Sequence, residues 1–396
     1  MTNWQELEKK YYMYCANRIP VTLVRGDGVR IWDDDGKEYL DFVAGWAVTC
    51  LGHCHPVISE VAAEQAKTLI QTSNQFFTVP QIQLAQILVE NSCLDKVFFC
   101  NSGAEANEGA IKLARRYGAL NLNGAYEVIT ALNSFHGRTL MTTAATGQPK
   151  FQEAYKPLPA GFVNVAYDDI EAIKKATADK TCAVLLEPIE AEGGVNIPND
   201  NYLKEVRQWC DEKGILLMLD EVQTGIGRLG TLFGYEQFGV EPDVITLAKG
   251  MGGGVPIGAI MAKDSASVFV PGNHGSTYGG NALTCAVSYA VVKYIIDNDV
   301  ISNVNKMGTY FMDKLEDLKD KYDIISDVRG RGLLLALEFG EDISMDVLTA
   351  CLKGGLLVNP LKPNTLRFMP PLILTSKEVD QAIDILDRAI TEVTAQ

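Results

Sequence analysis

Five short apolar runs in the middle of the chain constrain its fold more than any other feature: KVFFC (96–100), EVITAL (127–132), CAVLLE (182–187), ILLMLD (215–220) and DVITLA (243–248). Each has the length of a strand, and an almost unbroken apolar character calls for burial on both faces. Helical patterns lie between several of them, including AEANEGAIKLARRYGAL and NYLKEVRQWCDEKG. Strands alternating with helices make an α/β fold with a mainly parallel sheet covered on both sides. Upstream, after an N-terminal helix, VTLVR, VRIWD and EYLDF read as short strands separated by GDG and DDGK turns. From about residue 286 the pattern shifts to long helices around a few strands, GLLLALEF and TLRFMP. The expectation is a large central domain over residues 53–285 and a smaller α+β domain built from both chain ends, 1–52 and 286–396.

In sheets of this kind the ligand sits beyond the carboxyl ends of the strands. The segments that leave the five runs are therefore informative: NSGAEANE, NSFHGRT, PIEAEGG, EVQTG and KG, in chain order. All five exits carry small or polar residues able to do chemistry. Lys249 closes the last run and precedes Gly250, Met251 and the glycines 252–254. A lysine in a partly dry pocket has a lowered pKa and becomes a nucleophile toward a carbonyl carbon. Alone, a lysine after a strand is usually a surface residue; its company changes that. Asp220 ends the preceding run, 29 residues earlier, where a buried carboxylate needs a partner such as a protonated pyridine nitrogen. Ser102, Gly103 and Ala104 lie where a strand gives way to a helix. Small residues there let backbone N–H groups reach a phosphate at the helix N-terminus, although Glu105 and Glu108 could equally be ordinary caps.

These residues carry a resemblance. NSGAEANE (101–108), SFHGRT (134–139), LDEVQTGIGRLG (219–230), TLAKGMGGGVPIGA (246–259) and STYGGNALTCA (276–286) resemble the motifs of class III aminotransferases, in the same order, from about residue 10 to the C-terminus. Within that class they are most similar to the acetylornithine branch. The resemblance implies a fold-type I transferase that uses pyridoxal 5'-phosphate and works as a homodimer with active sites at the subunit interface. It makes Lys249 the lysine that holds the cofactor and later shuttles a proton, and pairs Asp220 with the pyridine nitrogen. Val222 and Phe135 would sandwich the ring and Gln223 would approach its phenolic oxygen. Gly103 and Ala104, next to Ser102, would cradle the phosphate, with Thr277 reaching across from the other subunit.

The resemblance also assigns the substrate side. Arg367, in NTLRFMPP, matches the arginine that takes the glutamate α-carboxylate as a bidentate fork. Glu192 matches the acid that occupies that arginine when no carboxylate is there. Arg138 matches the arginine for the far carboxylate, and Ser276 and Trp46 fall on the substrate side as well. Two departures stand out: the usual QGEGG is here EAEGG, with Glu190 and Ala191 in the first two places, and Trp46 stands where an aliphatic residue is common. The implied reaction moves the distal amino group of N2-acetylornithine to 2-oxoglutarate, giving N-acetylglutamate 5-semialdehyde and glutamate, a step of arginine synthesis. Ornithine, succinylornithine or 4-aminobutyrate as donor, an aminomutase without an external acceptor, and a catalytically silent binding relative remain alternatives. The presence of both Lys249 and Asp220 argues against the last.

Composition excludes other classes. A net charge of -15, from 35 basic and 50 acidic residues, repels phosphate backbones, so nucleic acid is not expected as a partner. No apolar run approaches the roughly 18 residues of a membrane helix. The start, MTNWQELEKK, is not of signal-peptide type. Nine cysteines without C-x-x-C pairs fit reduced thiols and a cytoplasmic protein. His53, Cys54 and His55 are potential metal ligands, but adjacent ligands in one turn cannot close a tetrahedron, and no metal is expected.

Overall fold

The computed structural model describes residues 2–395. After a helix at Trp4–Tyr11, the three N-terminal runs form β1 (Leu23–Asp27), β2 (Arg30–Asp33) and β3 (Glu38–Asp41), an antiparallel meander. The middle of the chain supplies β4 (Lys96–Cys100), β5 (Glu127–Ala131), β6 (Phe162–Val165), β7 (Thr181–Leu186), β8 (Leu216–Asp220), β9 (Val244–Leu247) and β10 (Gly258–Ala262). These seven make one sheet in the order β4-β10-β9-β8-β7-β5-β6. The C-terminal part adds β11 (Ile325–Arg331), β12 (Leu334–Phe339), β13 (Leu356–Leu357), β14 (Asn359–Lys362) and β15 (Thr365–Phe368).

The five apolar runs all become strands of the large sheet, and every residue of β7, β8 and β9 is buried. β5 through β9 pair in parallel; helices link them as far as β8, and a long loop with one 3-10 turn at Gly234–Phe238 leads from β8 to β9. β10 alone runs the other way, antiparallel to both β9 and β4. The connection 248–257 is shorter than the roughly dozen residues a parallel crossover needs, so the chain can only turn back. That turn contains Lys249 and the glycine run. β6 and β10 lie outside the five runs: β6 carries Asn164, whose Nδ2 donates to Thr130 Oγ1 at 2.6 Å, and β10 is the small-residue segment GAIMA.

Register brings the chemistry to one edge. β7 and β8 pair Leu186 with Leu219, and β8 and β9 pair Asp220 with Thr246. Glu187, Asp220 and Lys249 therefore leave neighbouring strands at their carboxyl ends, directly above a layer of buried leucines. Truncating Leu186 or Leu219 to alanine would open a cavity there at a cost of about 2–5 kcal/mol.

Both chain ends meet away from this sheet. β13 adds in parallel to β3, joining residues 356–357 to 40–41, while β11, β12, β15 and β14 form a separate four-stranded antiparallel sheet. Helices Val300–Lys321 and Ser344–Gly354 pack on it, and Ser376–Thr394 packs on both of these helices and on β13. The helix Ala282–Asp297 instead packs on Pro56–Thr68 and Val79–Glu90.

Candidate active site

A cavity of about 420 Å³ opens at the carboxyl edge of the large sheet. Lys249, Asp220, Ser102, Gly103, Ala104, Phe135, Val222, Gln223 and Arg138 all line it. Lys249 sits at the turn after β9 with φ +42, a left-handed conformation that a non-glycine residue adopts only where its surroundings impose it. Its amine has no hydrogen-bond or ion-pair partner among the described residues. Burial lowers its pKa below the ordinary lysine range, with Glu192 pulling the other way.

Asp220 is buried and held from three sides. Oδ2 accepts from Asn107 Nδ2 at 2.7 Å and lies 2.8 Å from His136 Nδ1, while Oδ1 accepts from the Val222 backbone N–H at 3.0 Å. Thr246 Oγ1 donates to Asn107 Oδ1 at 2.7 Å, so β9 fixes the amide that fixes the carboxylate. Asn107 and His136 fall within the strings NSGAEANE and SFHGRT, yet sequence reasoning gives neither a role. A signal exists for Asn107: it is a polar residue on the buried face of a helix otherwise occupied by Ala106, Ala110 and Ile111.

Ser102 caps the helix Gly103–Asn121, its hydroxyl accepting from Glu105 N at 3.2 Å. Glu105 reaches back to Asn101, accepting from its backbone and side-chain N–H groups at 2.8 Å each. Its role is thus a cap, and the N–H groups of Gly103 and Ala104 remain at a helix N-terminus beside the cavity. A Cβ on Gly103 would come within 2.8 Å of Val222, so only glycine allows this close approach.

Glu192 and Arg367 lie just behind that cavity lining. Arg367, on β15, is fully buried; Nη1 donates to Glu192 Oε1 at 2.8 Å and to Ala191 O at 2.9 Å. Its Nε and Nη2 both donate to Asn359 Oδ1, at 3.1 and 2.8 Å. Glu192 Oε1 also accepts from Gln223 Nε2 at 3.2 Å. Burial would push the Glu192 carboxyl up, but Arg367 and Lys249 bring it down to about 2. Arg138 is exposed and has no ion-pair partner among the described residues; its guanidinium lies 4.0 Å from the Phe151 ring centroid and 5.5 Å from that of Phe135.

Three more expected residues stand outside the lining, as Glu192 and Arg367 do. Thr277 is exposed, and Ser276 uses its hydroxyl internally, accepting from Gly279 N at 2.9 Å and Asn101 Nδ2 at 3.2 Å. Trp46 is 58% exposed with φ +61, within a left-handed run from Ala44 to Ala47; its neighbour Val48 lines the cavity instead. His53 Nε2 contacts Asp41 Oδ2 at 2.7 Å, and His55 caps the helix Pro56–Thr68.

Glu187, the acid ending the CAVLLE run, also lines the cavity. It accepts from Phe135 N at 2.9 Å and Ala191 N at 3.2 Å. Burial, with Asp220 and Glu190 adding repulsion, raises its pKa well above the carboxylate range. Burial likewise raises Glu190 to about 7 and Glu221 to about 8. Between the ordinary value of 4.5 and these raised values, the folded chain holds protons that the unfolded chain releases. That contribution is fully present at the acid end and is lost as pH rises. Glu192 has the opposite sign but is already complete well below neutrality. Lys249, whose pKa burial lowers, works the other way, but it is one group against three. The urea midpoint is therefore expected to fall from about pH 6.5 to about pH 8.0; a rise would mean that the carboxyls do not outweigh the lysine.

The cavity suits pyridoxal phosphate on three observations. Lys249 offers an unpartnered amine, Gln223 Oε1 is buried without a partner among the described residues, and Gly103 and Ala104 open a helix at the cavity wall with their backbone N–H groups at its N-terminus. Comparison with known proteins agrees. Residues 11–390 match the family described as aminotransferase class-III. The acetylornithine aminotransferase of Caldanaerobacter subterraneus subsp. tengcongensis is 51% identical over 98% of this chain and 98% of its own. The ornithine aminotransferase of Toxoplasma gondii ME49 superposes with a TM-score of 0.95 at 33% identity, covering 99% of this chain and 95% of that one. The acetylornithine aminotransferase of Elizabethkingia anophelis does so at 0.88 and 34%, covering 98% of each chain. Likeness over nearly the whole of both chains leaves one assignment: the chain belongs to the class-III aminotransferases, enzymes that depend on pyridoxal phosphate.

Proposed function

We propose that this chain moves the distal amino group of N2-acetylornithine to 2-oxoglutarate, giving N-acetylglutamate 5-semialdehyde and glutamate. The observation that carries this is the Glu192–Arg367 pair behind Gln223, a buried cation already holding a carboxylate that a substrate could replace. Such an exchange lets one pocket serve an amino donor without a carboxylate near the reacting nitrogen, then glutamate with one. When bound, pyridoxal phosphate supplies the electron sink for charge developing at the carbon that bears the amine.

The chain's residues do the rest. Asp220, fixed by Asn107, His136 and Val222 N, would hold the pyridine nitrogen, and Gln223 the phenolic oxygen. Val222 and Phe135 would face the ring. The Gly103 and Ala104 N–H groups would take the phosphate. Lys249, kept short of its usual basicity by burial, would hold the cofactor and, once released, carry the proton between the two carbons. Arg138 has an uncommitted guanidinium for the far carboxylate.

A large cofactor domain, 53–285, and a small one from 1–52 and 286–396 would meet at the Glu192–Arg367 pair; Val48 alone among the lining residues comes from the small one. A homodimer would cover Phe76, Phe77 and Tyr278, which are 66%, 95% and 65% exposed and too apolar to be left in water together. It would also bring Thr277 to the partner's phosphate site. No helix among the described residues is long and apolar enough to cross a membrane, and a cytoplasmic location belongs with this reading.

A second donor, free ornithine, is favoured by one observation: an ornithine aminotransferase superposes at a TM-score of 0.95. The test is a half-reaction without 2-oxoglutarate, following the cofactor's absorbance with N-acetylornithine, ornithine, succinylornithine and 4-aminobutyrate at equal concentrations. N-acetylornithine is expected to react fastest. A faster reaction with ornithine or 4-aminobutyrate would overturn the donor and make Trp46 the first residue to replace. Glutamate formation in the full reaction excludes an aminomutase.

A further inference from the structure

The hairpin that carries Glu192 holds a second acid with no part in the amino transfer itself. Glu190 and Asn196 exchange both backbone hydrogen bonds at 3.1 Å, closing residues 190–196 into a loop. Glu190 is fully buried. Its Oε2 accepts from Asn196 Nδ2 at 2.9 Å, but its Oε1 has no partner among the described residues. Three cations from one sheet meet this loop. Arg329, on β11, donates from Nε and Nη2 to Gly194 O at 3.1 and 2.7 Å. Arg367, on β15, holds Ala191 O and Glu192. Lys362, on β14, lies so close to Gly194 that a Cβ there would be 2.5 Å from its Nζ.

The charges around Glu190 leave little to neutralise it. Lys362 is the one cation acting on it. Glu187, at the end of β7, is itself kept protonated by burial, and the hydroxyls of Tyr167 and Tyr202 stay protonated because burial raises both. Glu192, two residues on, is silent only while Arg367 neutralises it. Once a substrate α-carboxylate takes Arg367, the carboxylate of Glu192 is released into the same dry loop. Like charges repel more strongly where water is scarce, and the unpartnered Oε1 of Glu190 is the oxygen that can accept a proton without displacing a donor.

Resting on the proposed exchange at Arg367, we propose that Glu190 takes up a proton when a dicarboxylate acceptor displaces Glu192, and thereby positions the hairpin for the acceptor half of the cycle. Burial already brings this carboxyl to about 7, so the uptake falls in the neutral range. Proton uptake on binding means that affinity falls as pH rises. Up to one proton gives up to about tenfold per pH unit above neutrality. The replacement of the family's usual glutamine by Glu190 then makes acceptor binding pH-linked in this chain.

The test uses the holoenzyme and glutarate, which has both carboxylates but no keto or amino group to react. Calorimetric titration between about pH 6.5 and about pH 8.5, in two buffers of different ionisation enthalpy, gives affinity and proton uptake together. The wild type is expected to take up protons and to bind several-fold more weakly for each unit above neutrality. Glu190→Gln, which restores the common family residue, should match the wild type at the acid end and lose most of the uptake and slope above it. Lys249 faces the same pocket, so any uptake it contributes remains in both proteins. Equal uptake in wild type and Glu190→Gln overturns the role of Glu190. Arg367→Lys separates the two ideas: undiminished glutarate affinity in that variant, or no glutarate binding by the wild type, overturns the Arg367 exchange and the role of Glu190 with it.

Discussion

Lys249→Ala is expected to lose at least about four orders of magnitude in turnover, since one side chain supplies both the attachment and the proton transfer. The fold should survive. The side chain is half-buried, its amine has no partner among the described residues, and burial lowers its pKa, so it burdens the folded state at neutral pH rather than supporting it. Alanine keeps the left-handed φ of +42 no better and no worse than lysine, because both carry a Cβ. The melting temperature should therefore stay within a few degrees of the wild type. Lys249→Arg is the companion variant: it retains a cation but offers no amine, and should be as inactive. Glutamate formation from N-acetylornithine and 2-oxoglutarate measures turnover, and a thermal melt measures the fold. Activity within tenfold of the wild type in either variant would remove Lys249 from the mechanism.

The central sheet was legible because its strands are buried on both faces and read as unbroken apolar runs, a pattern few other elements share. β6 and β10 escaped for opposite reasons: Asn164 interrupts one, and the small residues of GAIMA weaken the other. Lys249 and Asp220 could be found from their position at strand exits. The residues that hold them could not be found in the same way. His136 reaches Asp220 across 84 residues of sequence, and Asn107 across 113, and no local spacing encodes such meetings. Arg367 illustrates a middle case. A cation within the apolar string TLRFMP signals a buried partner, but only the pairing of β14 with β15 reveals that Asn359 stands opposite it. Trp46 was expected beside the substrate; the left-handed run at 44–47 turns it outward in the single chain, a backbone choice that composition does not announce.

Arg367→Ala is expected to damage the acceptor half-reaction far more than the donor half-reaction. In the folded chain Arg367 satisfies Glu192, Ala191 O and Asn359 at once. Removing one partner of a buried, hydrogen-bonded charge pair costs about 2–5 kcal/mol, roughly 30- to 5,000-fold. For the acceptor that loss falls on the α-carboxylate, so the rate constant at low 2-oxoglutarate should drop by about two to three orders of magnitude. The donor, which leaves Glu192 in place, loses only what the freed Glu192 perturbs, and its half-reaction should stay within about tenfold. The same substitution strips Glu192 of the cation that holds it near 2, so its pKa should climb and the variant should be less stable at neutral pH than in mild acid. Arg367→Lys separates charge from geometry: a lysine restores the cation but not the fork, and should recover stability more fully than acceptor binding. Measuring the two half-reactions separately decides the matter. Equal losses in both would mean that Arg367 supports the pocket without exchanging partners, and the single-site account of two substrates would have to be abandoned.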